Sequence, residues 1–257
     1  VMAIIFAIFA KNDPALKARR ESNTKHPSLA QQLAPLKNLQ VWRFSLYYFF
    51  SFGAFVALAL WLPRYYIGAY GVTLKTAGML SAIYALPASI FRALGGWFSD
   101  KFGARAVMYW VFGVSVICCF ILSYPKTMYT IDGIRGQLSF SFGIGLVTFV
   151  IVTFILGFFM SLGKAAVYKH IPVYYPDHVG SVGGIVGLVG GLGGFFLPIL
   201  FGVLNDCIGV WTSCFMLLFV IVAISFLWMH VAIRHIEKKK TETPPDSDYF
   251  PEMSSKK

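Results

Sequence analysis

The sequence predicts an all-α integral membrane protein whose main body is a bundle of six transmembrane helices. Only 13% of its 257 residues are charged, whereas soluble domains carry about 25%. The apolar residues form long runs separated by short polar stretches, which is typical of repeated membrane crossings. The chain also has 25 phenylalanines, 13 tyrosines and 6 tryptophans, which suit lipid-facing and interfacial positions. The lipid bilayer is therefore its expected partner.

Six of the apolar runs are long enough to cross a bilayer as a helix, which takes about 20 residues. They lie near residues 43–63, 76–99, 105–124, 141–168, 179–204 and 210–232. Together they predict a six-helix transporter-like bundle over residues 41–234.

The segments outside the bundle have different compositions. Val1–Ala10 is apolar but spans only about half a bilayer core. We expect it to be the end of a truncated transmembrane helix, so that the chain is a fragment. Residues 11–40 are predicted to form a basic cytoplasmic linker, and the proline-, serine- and charge-rich residues 235–257 a disordered cytoplasmic tail.

The positive charges are distributed unequally between the two predicted faces of the bundle. Sixteen of the 22 Lys and Arg residues lie in the linker together with Arg43, in the 101–105 turn, at Lys169 and in the tail from Arg234, and only four lie in the opposite loops. The positive-inside rule places the basic side, and with it the carboxyl terminus, in the cytoplasm. The charges sit at membrane edges, so the net charge of +11 does not indicate a nucleic-acid partner.

The residue types that usually carry catalysis show no suitable spacing. The four cysteines lie in or beside apolar runs without metal-ligand spacing, and we expect them to pack as small apolar residues. The five histidines lie in loops or near span ends and form no nucleophile–base or metal pattern. We therefore predict no metal site, no cofactor and no enzymatic activity.

A short motif occurs twice. Residues 96–103 and 202–209 both read Gly-x-x-x-Asp-x-x-Gly, and in the predicted topology they leave the membrane on opposite faces. Two three-helix units with inverted orientation would produce this arrangement. Chance similarity between two short turns is the alternative.

Arg92 is the most informative single residue of the sequence. It lies eight residues before Asp100, hence about 10–12 Å deep in its span. All eleven acidic residues fall in predicted loops, turns or tails, and an uncompensated arginine at depth costs at least ~2.5 kcal/mol. Its planar guanidinium suits a planar oxyanion bound through two parallel hydrogen bonds. Snorkelling to the interface, or pairing with a partner outside this chain, are the alternatives.

Aromatic and glycine residues are predicted at the same depth as Arg92. Tyr48 and Phe52 are four residues apart and so share one helical face. Residues 180–194 contain eight glycines, among which Gly187, Gly190 and Gly191 reach that depth. Such a surface permits close helix approach and exposes backbone beside a pathway. Ordinary helix packing would explain both patterns as well.

Two further features suggest conformational control. The first is a turn motif made of Gly96, Asp100, Lys101, Gly103 and Arg105. It predicts a tight turn with glycine on the close-packed side and with Asp100 placed to pair with a basic residue or a helix end, which could latch one state. An ordinary turn with positive-inside charges is the alternative. The second is Lys164, which could snorkel to the cytoplasm, belong to a gate, or titrate when buried.

Residues 36–236 resemble the second half of a bacterial NarK-type nitrate/nitrite porter of the major facilitator superfamily. The glycine-rich run resembles that family's second nitrate signature, and residues 88–96 resemble the segment that carries one of its two substrate arginines. The resemblance implies that Arg92 binds nitrate or nitrite, with Tyr48 and Phe52 lining the pocket. It also implies a missing N-terminal six-helix half with the second arginine, and a location in the bacterial inner membrane. The segment around Lys164 resembles the branch assigned to proton-coupled nitrate uptake.

These expectations combine into alternating access, in which two six-helix halves rock around a centrally bound nitrogen oxyanion. The lack of acids at depth favours anion exchange over a carboxylate proton relay, although Lys164 could reverse that preference. Another small anion, such as a carboxylate or phosphate, is the first alternative. A membrane enzyme or a non-transporting sensor is the second, but a sensor would need an added soluble domain.

Overall fold

The computed structural model describes residues 34–242, apart from the side chains of residue 177 and residues 239–242. Six helices within this range are long and apolar enough to cross a membrane. The expected helix end at residues 1–10, the linker up to residue 33 and the tail beyond residue 242 lie outside the described residues.

The helices follow the predicted order. They are α1 (Leu39–Tyr70), α2 (Leu74–Phe102), α3 (Ala104–Ser123), α4 (Leu146–Tyr174), α5 (Val179–Ile208) and α6 (Ser213–Glu242). A 3₁₀ turn at Ala34–Lys37 precedes α1, and another at Pro176–His178 joins α4 to α5. The expectation of disorder from residue 235 is wrong for its first eight residues. Helix α6 continues through them because Lys and Glu are good helix formers.

The two copies of the Gly-x-x-x-Asp-x-x-Gly motif have the same structural role. Helix α2 ends at Gly103, where φ is +85°, and α5 ends at Gly209, where φ is +73°. Positive φ is costly for any residue with a Cβ, so glycine is favoured directly after the last helical turn. The repeat is therefore a pair of equivalent helix ends.

Helix α1 is interrupted by a π-helical segment at Phe49–Ala54. Nothing in the spacing of apolar residues predicts it, because the segment is as apolar as the helix on either side. It packs against α5, and Phe50, Ser51, Gly53 and Ala54 are buried there. Short π segments often occur at functional sites.

The predicted span over residues 141–168 begins too early. A β-hairpin precedes α4, with β1 (Thr127–Gly133) and β2 (Gly136–Phe142) paired antiparallel around a two-residue turn. In β2, apolar Leu138, Phe140 and Phe142 alternate with polar residues, which is the period of a strand and not of a helix. Its high apolar content made the end of the strand look like the start of the span.

The helices pack in a crossed arrangement. Helix α2 packs on α4, and α5 packs on α1, so the second helix of each three-helix unit contacts the first helix of the other. Helix α3 packs on α4 and α6. Short turns join α1 to α2, α2 to α3, α4 to α5 and α5 to α6, and the β-hairpin joins α3 to α4, so consecutive helices cross in alternating directions. We call the face with the α2–α3 turn the basic face, and the face with the β-hairpin the hairpin face.

Candidate functional site

Arg92 lies in α2, four residues after Ala88, and its side chain is exposed in this chain. The four acids with described side chains lie near helix ends or in the hairpin, at Asp100, Asp132, Asp206 and Glu237. Among the described residues, Arg92 forms no ion pair. Its guanidinium is within interaction range of the Tyr48 hydroxyl.

Aromatic rings surround this hydroxyl. Tyr48 is only 4% exposed and stacks on Phe52, with ring centroids 5.1 Å apart and planes at 7°. The edge of Tyr168 from α4 meets Tyr48 at 4.8 Å. Tyr48 directly precedes the π segment and Phe52 lies inside it. The two predicted aromatic residues therefore share one face and lie beside Arg92.

The glycines of α5 divide into packed and open positions. A Cβ at Gly190 would overlap the Tyr48 ring, and one at Gly187 would lie 2.8 Å from the Tyr168 hydroxyl. Gly191 has no side chain or neighbouring helix within 4 Å among the described residues. The structure thus brings Gly187 and Gly190 to the aromatic group and leaves Gly191 on the open side of the helix.

Lys164 does not snorkel to the membrane edge. Its side chain is 4% exposed, and its Nζ lies 3.0 Å from the centroid of the Phe55 ring. The aromatic face stabilises a buried ammonium group, and α4 continues for ten further residues before the basic face. Lys164 also interacts electrostatically with Arg92. Two basic side chains therefore lie within electrostatic range of each other, Arg92 beside Tyr48 and Lys164 over Phe55.

The turn motif is tied to the end of α4. Asp100 forms an ion pair with Lys169, which agrees with the expectation that Asp100 has a basic partner. Arg105 donates a hydrogen bond from Nη2 to the Tyr174 hydroxyl at 3.3 Å. The Lys101 ammonium lies 5.2 Å from the centroid of the Trp97 ring. The ion pair and the hydrogen bond connect the α2–α3 turn to the basic-face end of α4, whereas the Lys101–Trp97 contact lies within α2.

The close-packed glycine of this region is Gly95 and not Gly96. A Cβ at Gly95 would lie 2.7 Å from the Cα of Leu162 in α4, whereas Gly96 has open space within 4 Å. The buried stripe of α2 runs through Ala88, Gly95 and Ser99, and the next residue points about 100° away from it. The prediction that Gly96 lies on the packed side is therefore wrong, because the packed glycine is Gly95, one residue earlier.

Two residues of the site were missed by sequence reasoning. Tyr168 donates a hydrogen bond to the carbonyl of Gly183 at 3.2 Å and joins the aromatic group to α5. Its position four residues after Lys164 places both on one helical face and could have indicated it. Phe55, which lies under the Lys164 ammonium, had no such signal.

The arrangement suits a small planar anion. Arg92 offers a fork of N–H donors, Lys164 adds a second positive charge nearby, and the Tyr48 hydroxyl can donate a hydrogen bond. The stacked Tyr48 and Phe52 rings form a flat wall. The described residues do not form a metal-binding cluster of His, Cys, Asp and Glu.

Comparison with known sequences identifies several relatives. The chain is 46% identical over 213 residues to the "Probable nitrate/nitrite antiporter NarK1" of Thermus thermophilus, covering 82% of this chain and 48% of that protein. It is 30% identical over 247 residues to the "Nitrite extrusion protein" of Bacillus subtilis, covering 95% and 57%. A "Probable nitrate transporter NarT" of Staphylococcus epidermidis is 30% identical over 237 residues, covering 92% and 56%. The chain thus spans about half the length of the curated relatives it matches.

Solved structures with the same fold are also membrane transporters. FucP in its outward conformation aligns with a TM-score of 0.64 at 19% identity, over 90% of this chain and 51% of FucP. The inward-open xylose transporter XylE of E. coli aligns with a TM-score of 0.53 at 15% identity, over 75% and 47%. The Major Facilitator Superfamily family model matches residues 1–148 and 134–252. With its six crossed helices and the matched family model, the chain belongs to the Major Facilitator Superfamily.

Proposed function

We propose that this chain forms the C-terminal half of a nitrate/nitrite porter that works by alternating access in the bacterial inner membrane. The names of its relatives support the substrate. The observation that carries the proposal is Arg92, a charge without an ion pair among the described residues, next to Tyr48 and the glycines of α5. An N-terminal six-helix half completes the porter, and the basic face lies in the cytoplasm.

Binding in this proposal begins at the Arg92 guanidinium. Two of its N–H groups donate to two oxygens of the planar anion, and the Tyr48 hydroxyl donates to the remaining oxygen. The Phe52 ring stacked on Tyr48 keeps that hydroxyl in place and excludes water from one side. Lys164 strengthens the attraction because its positive charge is close to that of Arg92.

Substrate binding then controls closure. An arginine from the N-terminal half approaches Arg92 when the two halves close, and the two positive charges repel each other when the site is empty. The anion compensates that repulsion, so the loaded porter closes more readily. At the basic face, the Asp100–Lys169 ion pair and the Arg105–Tyr174 hydrogen bond hold the α2–α3 turn on α4 in one of the two states.

The decisive test is Arg92→Lys in the full-length porter, measured as nitrate uptake into proteoliposomes. Lysine keeps the charge but loses the fork, and a hydrogen bond to a charged group contributes about 1.5–3 kcal/mol. We therefore expect uptake at low nitrate to fall at least ~10-fold. Arg64→Lys is the matched control, because Arg64 lies over Trp61 near the hairpin-face end of α1. Uptake that is unchanged in Arg92→Lys contradicts the bidentate role.

Two measurements decide between the remaining possibilities for substrate and coupling. Competition of nitrate uptake by nitrite, formate and phosphate separates a nitrogen-oxyanion porter from a porter of another small anion. Uptake driven by internal nitrite without a pH gradient indicates exchange, whereas uptake that requires the gradient indicates proton coupling. Since no described acid lies at the depth of Arg92, we expect exchange.

A further inference from the structure

A cavity opens on the hairpin face, away from Arg92. Its volume is about 440 Å³, and it lies between the base of the β-hairpin, the end of α1, the start of α4 and the α5–α6 turn. Tyr65 lines it and lies 17 residues beyond Tyr48 in α1, which corresponds to about 25 Å along a helix. The cavity is therefore separate from the proposed substrate site.

Aromatic side chains form much of its wall. Tyr65 stacks on Phe149 with ring centroids 4.7 Å apart, and its ring meets the Trp211 ring edge-on at 6.2 Å. The Tyr70 hydroxyl donates to the carbonyl of Ile144 at 3.0 Å and fixes the end of α1 to the start of α4. These contacts hold the rings in place, so the wall is preformed and suits a flat apolar body.

The polar part of the cavity is small and positively charged. Lys126 lines it with an exposed side chain, and its stem lies against Gly143, where a Cβ would be 3.1 Å from Lys126 Cγ. Thr212 is 8% exposed, and its Oγ1 has no hydrogen-bond partner among the described residues. The backbone carbonyl of Thr212 already accepts from the start of α6. No acidic residue is among the described residues that line the cavity.

We propose that this cavity binds a small aromatic monocarboxylate. One ammonium group matches one negative charge, and no acidic side chain among the described lining residues opposes it. The aromatic walls take the apolar ring of the ligand. A nitrate ion would fill only a small part of the 440 Å³ and would leave these walls in contact with water. The site is independent of the proposed nitrate transport.

The test is binding of benzoate to the purified full-length porter in detergent, measured by saturation-transfer NMR and calorimetry with nitrate present in excess. Excess nitrate occupies the Arg92 site, so any remaining benzoate binding belongs elsewhere. We expect saturable binding that weakens at least about 3-fold in Lys126→Gln, since a partly exposed ion pair contributes up to ~1 kcal/mol.

Matched controls make the result specific. Arg135→Gln removes a cation from the turn of the same hairpin, outside the cavity lining, and should leave benzoate binding unchanged. Benzylamine has the same ring with a positive charge and should not bind. The proposal is overturned if benzoate does not bind at millimolar concentration, if Lys126→Gln binds it as well as the unmodified porter does, or if benzylamine competes equally.

Discussion

The two crossed helix pairs, α2–α4 and α5–α1, have equivalent places in the fold but different contacts. In α2–α4, Gly95 approaches the backbone of Leu162, and the Ser161 hydroxyl donates to the carbonyl of Ala88. In α5–α1, the approach is between glycines, because a Cβ on Gly53 would lie 2.7 Å from the carbonyl oxygen of Gly190. The charged residues Arg92 and Lys164 belong to the first pair alone.

This difference suggests that the two helix pairs have different functions. The α2–α4 pair carries the charges, and a buried side-chain hydrogen bond fixes it, so it suits a stable binding element. The α5–α1 pair offers a smooth glycine surface against a π segment. Such a surface suits small shifts of one helix past another during alternating access.

The largest expected effect comes from closing the glycine contact with Gly53→Ala. The new methyl group would meet backbone atoms of Gly190 and Gly193, which cannot rotate away. Overpacking of this kind costs about 1–3 kcal/mol or more. We expect less folded full-length porter and a lower apparent melting temperature in detergent. Gly191→Ala is the control, since that position is open among the described residues, and equal damage in both variants would contradict the assignment of the packed face.

The second-largest effect is expected from Lys164→Met, which tests the role of charge in the α2–α4 pair. Methionine keeps the side-chain length but removes the charge beside Arg92, so we expect nitrate to bind about 10-fold more weakly. Stability should not fall, because burying a cation is costly even over the Phe55 ring. Calorimetric titration with nitrate measures the first expectation and thermal unfolding the second.

Lys101→Met is the corresponding control for that variant. Its ammonium is at the basic face and lies over Trp97 instead of the aromatic group around Tyr48. The Lys101→Met variant should therefore bind nitrate with the same affinity as the unmodified porter. Equal loss of affinity in the two variants would show that general positive charge, and not the position of Lys164, matters.

The smallest effect is expected at the two equivalent helix ends. Asp100 has an ion pair with Lys169, whereas Asp206 at the equivalent position of α5 forms none among the described residues. Because the pair is partly exposed, it contributes at most about 1 kcal/mol. We expect Asp100→Asn to change the nitrate transport rate about 2- to 5-fold and Asp206→Asn to leave it unchanged. Reversing the pair, with Asp100→Lys and Lys169→Asp together, should restore the rate, and failure to do so would rule out the latch.

Much of the fold was predictable because membrane helices impose a strong pattern. Long apolar runs predicted six helices in the correct order. The depth of Arg92, counted along one helix, correctly placed it near Tyr48. Such arguments succeed where geometry within a single helix decides the outcome.

The remainder depends on contacts between elements, which single-helix periodicity does not contain. Whether Gly95 or Gly96 is packed depends on the rotation of α2 about its axis, and that rotation is set by α4. Lys164 was ambiguous because Phe55, 109 residues earlier in the chain, decides where its ammonium group lies. The β-hairpin was missed because Leu138, Phe140 and Phe142 merged with the apolar run of α4.

The π segment has a further consequence for how the site tolerates insertions and deletions. A π turn holds one residue more than an α turn, so removing one residue from Phe49–Ala54 would restore a regular helix. An α turn covers the same rotation with one residue fewer, so Tyr48 and the residues before it would keep their orientation relative to Phe55. A one-residue insertion into a regular stretch of α1 would instead rotate everything before it by about 100°. The wide turn thus holds one extra residue without changing the angular register of the site.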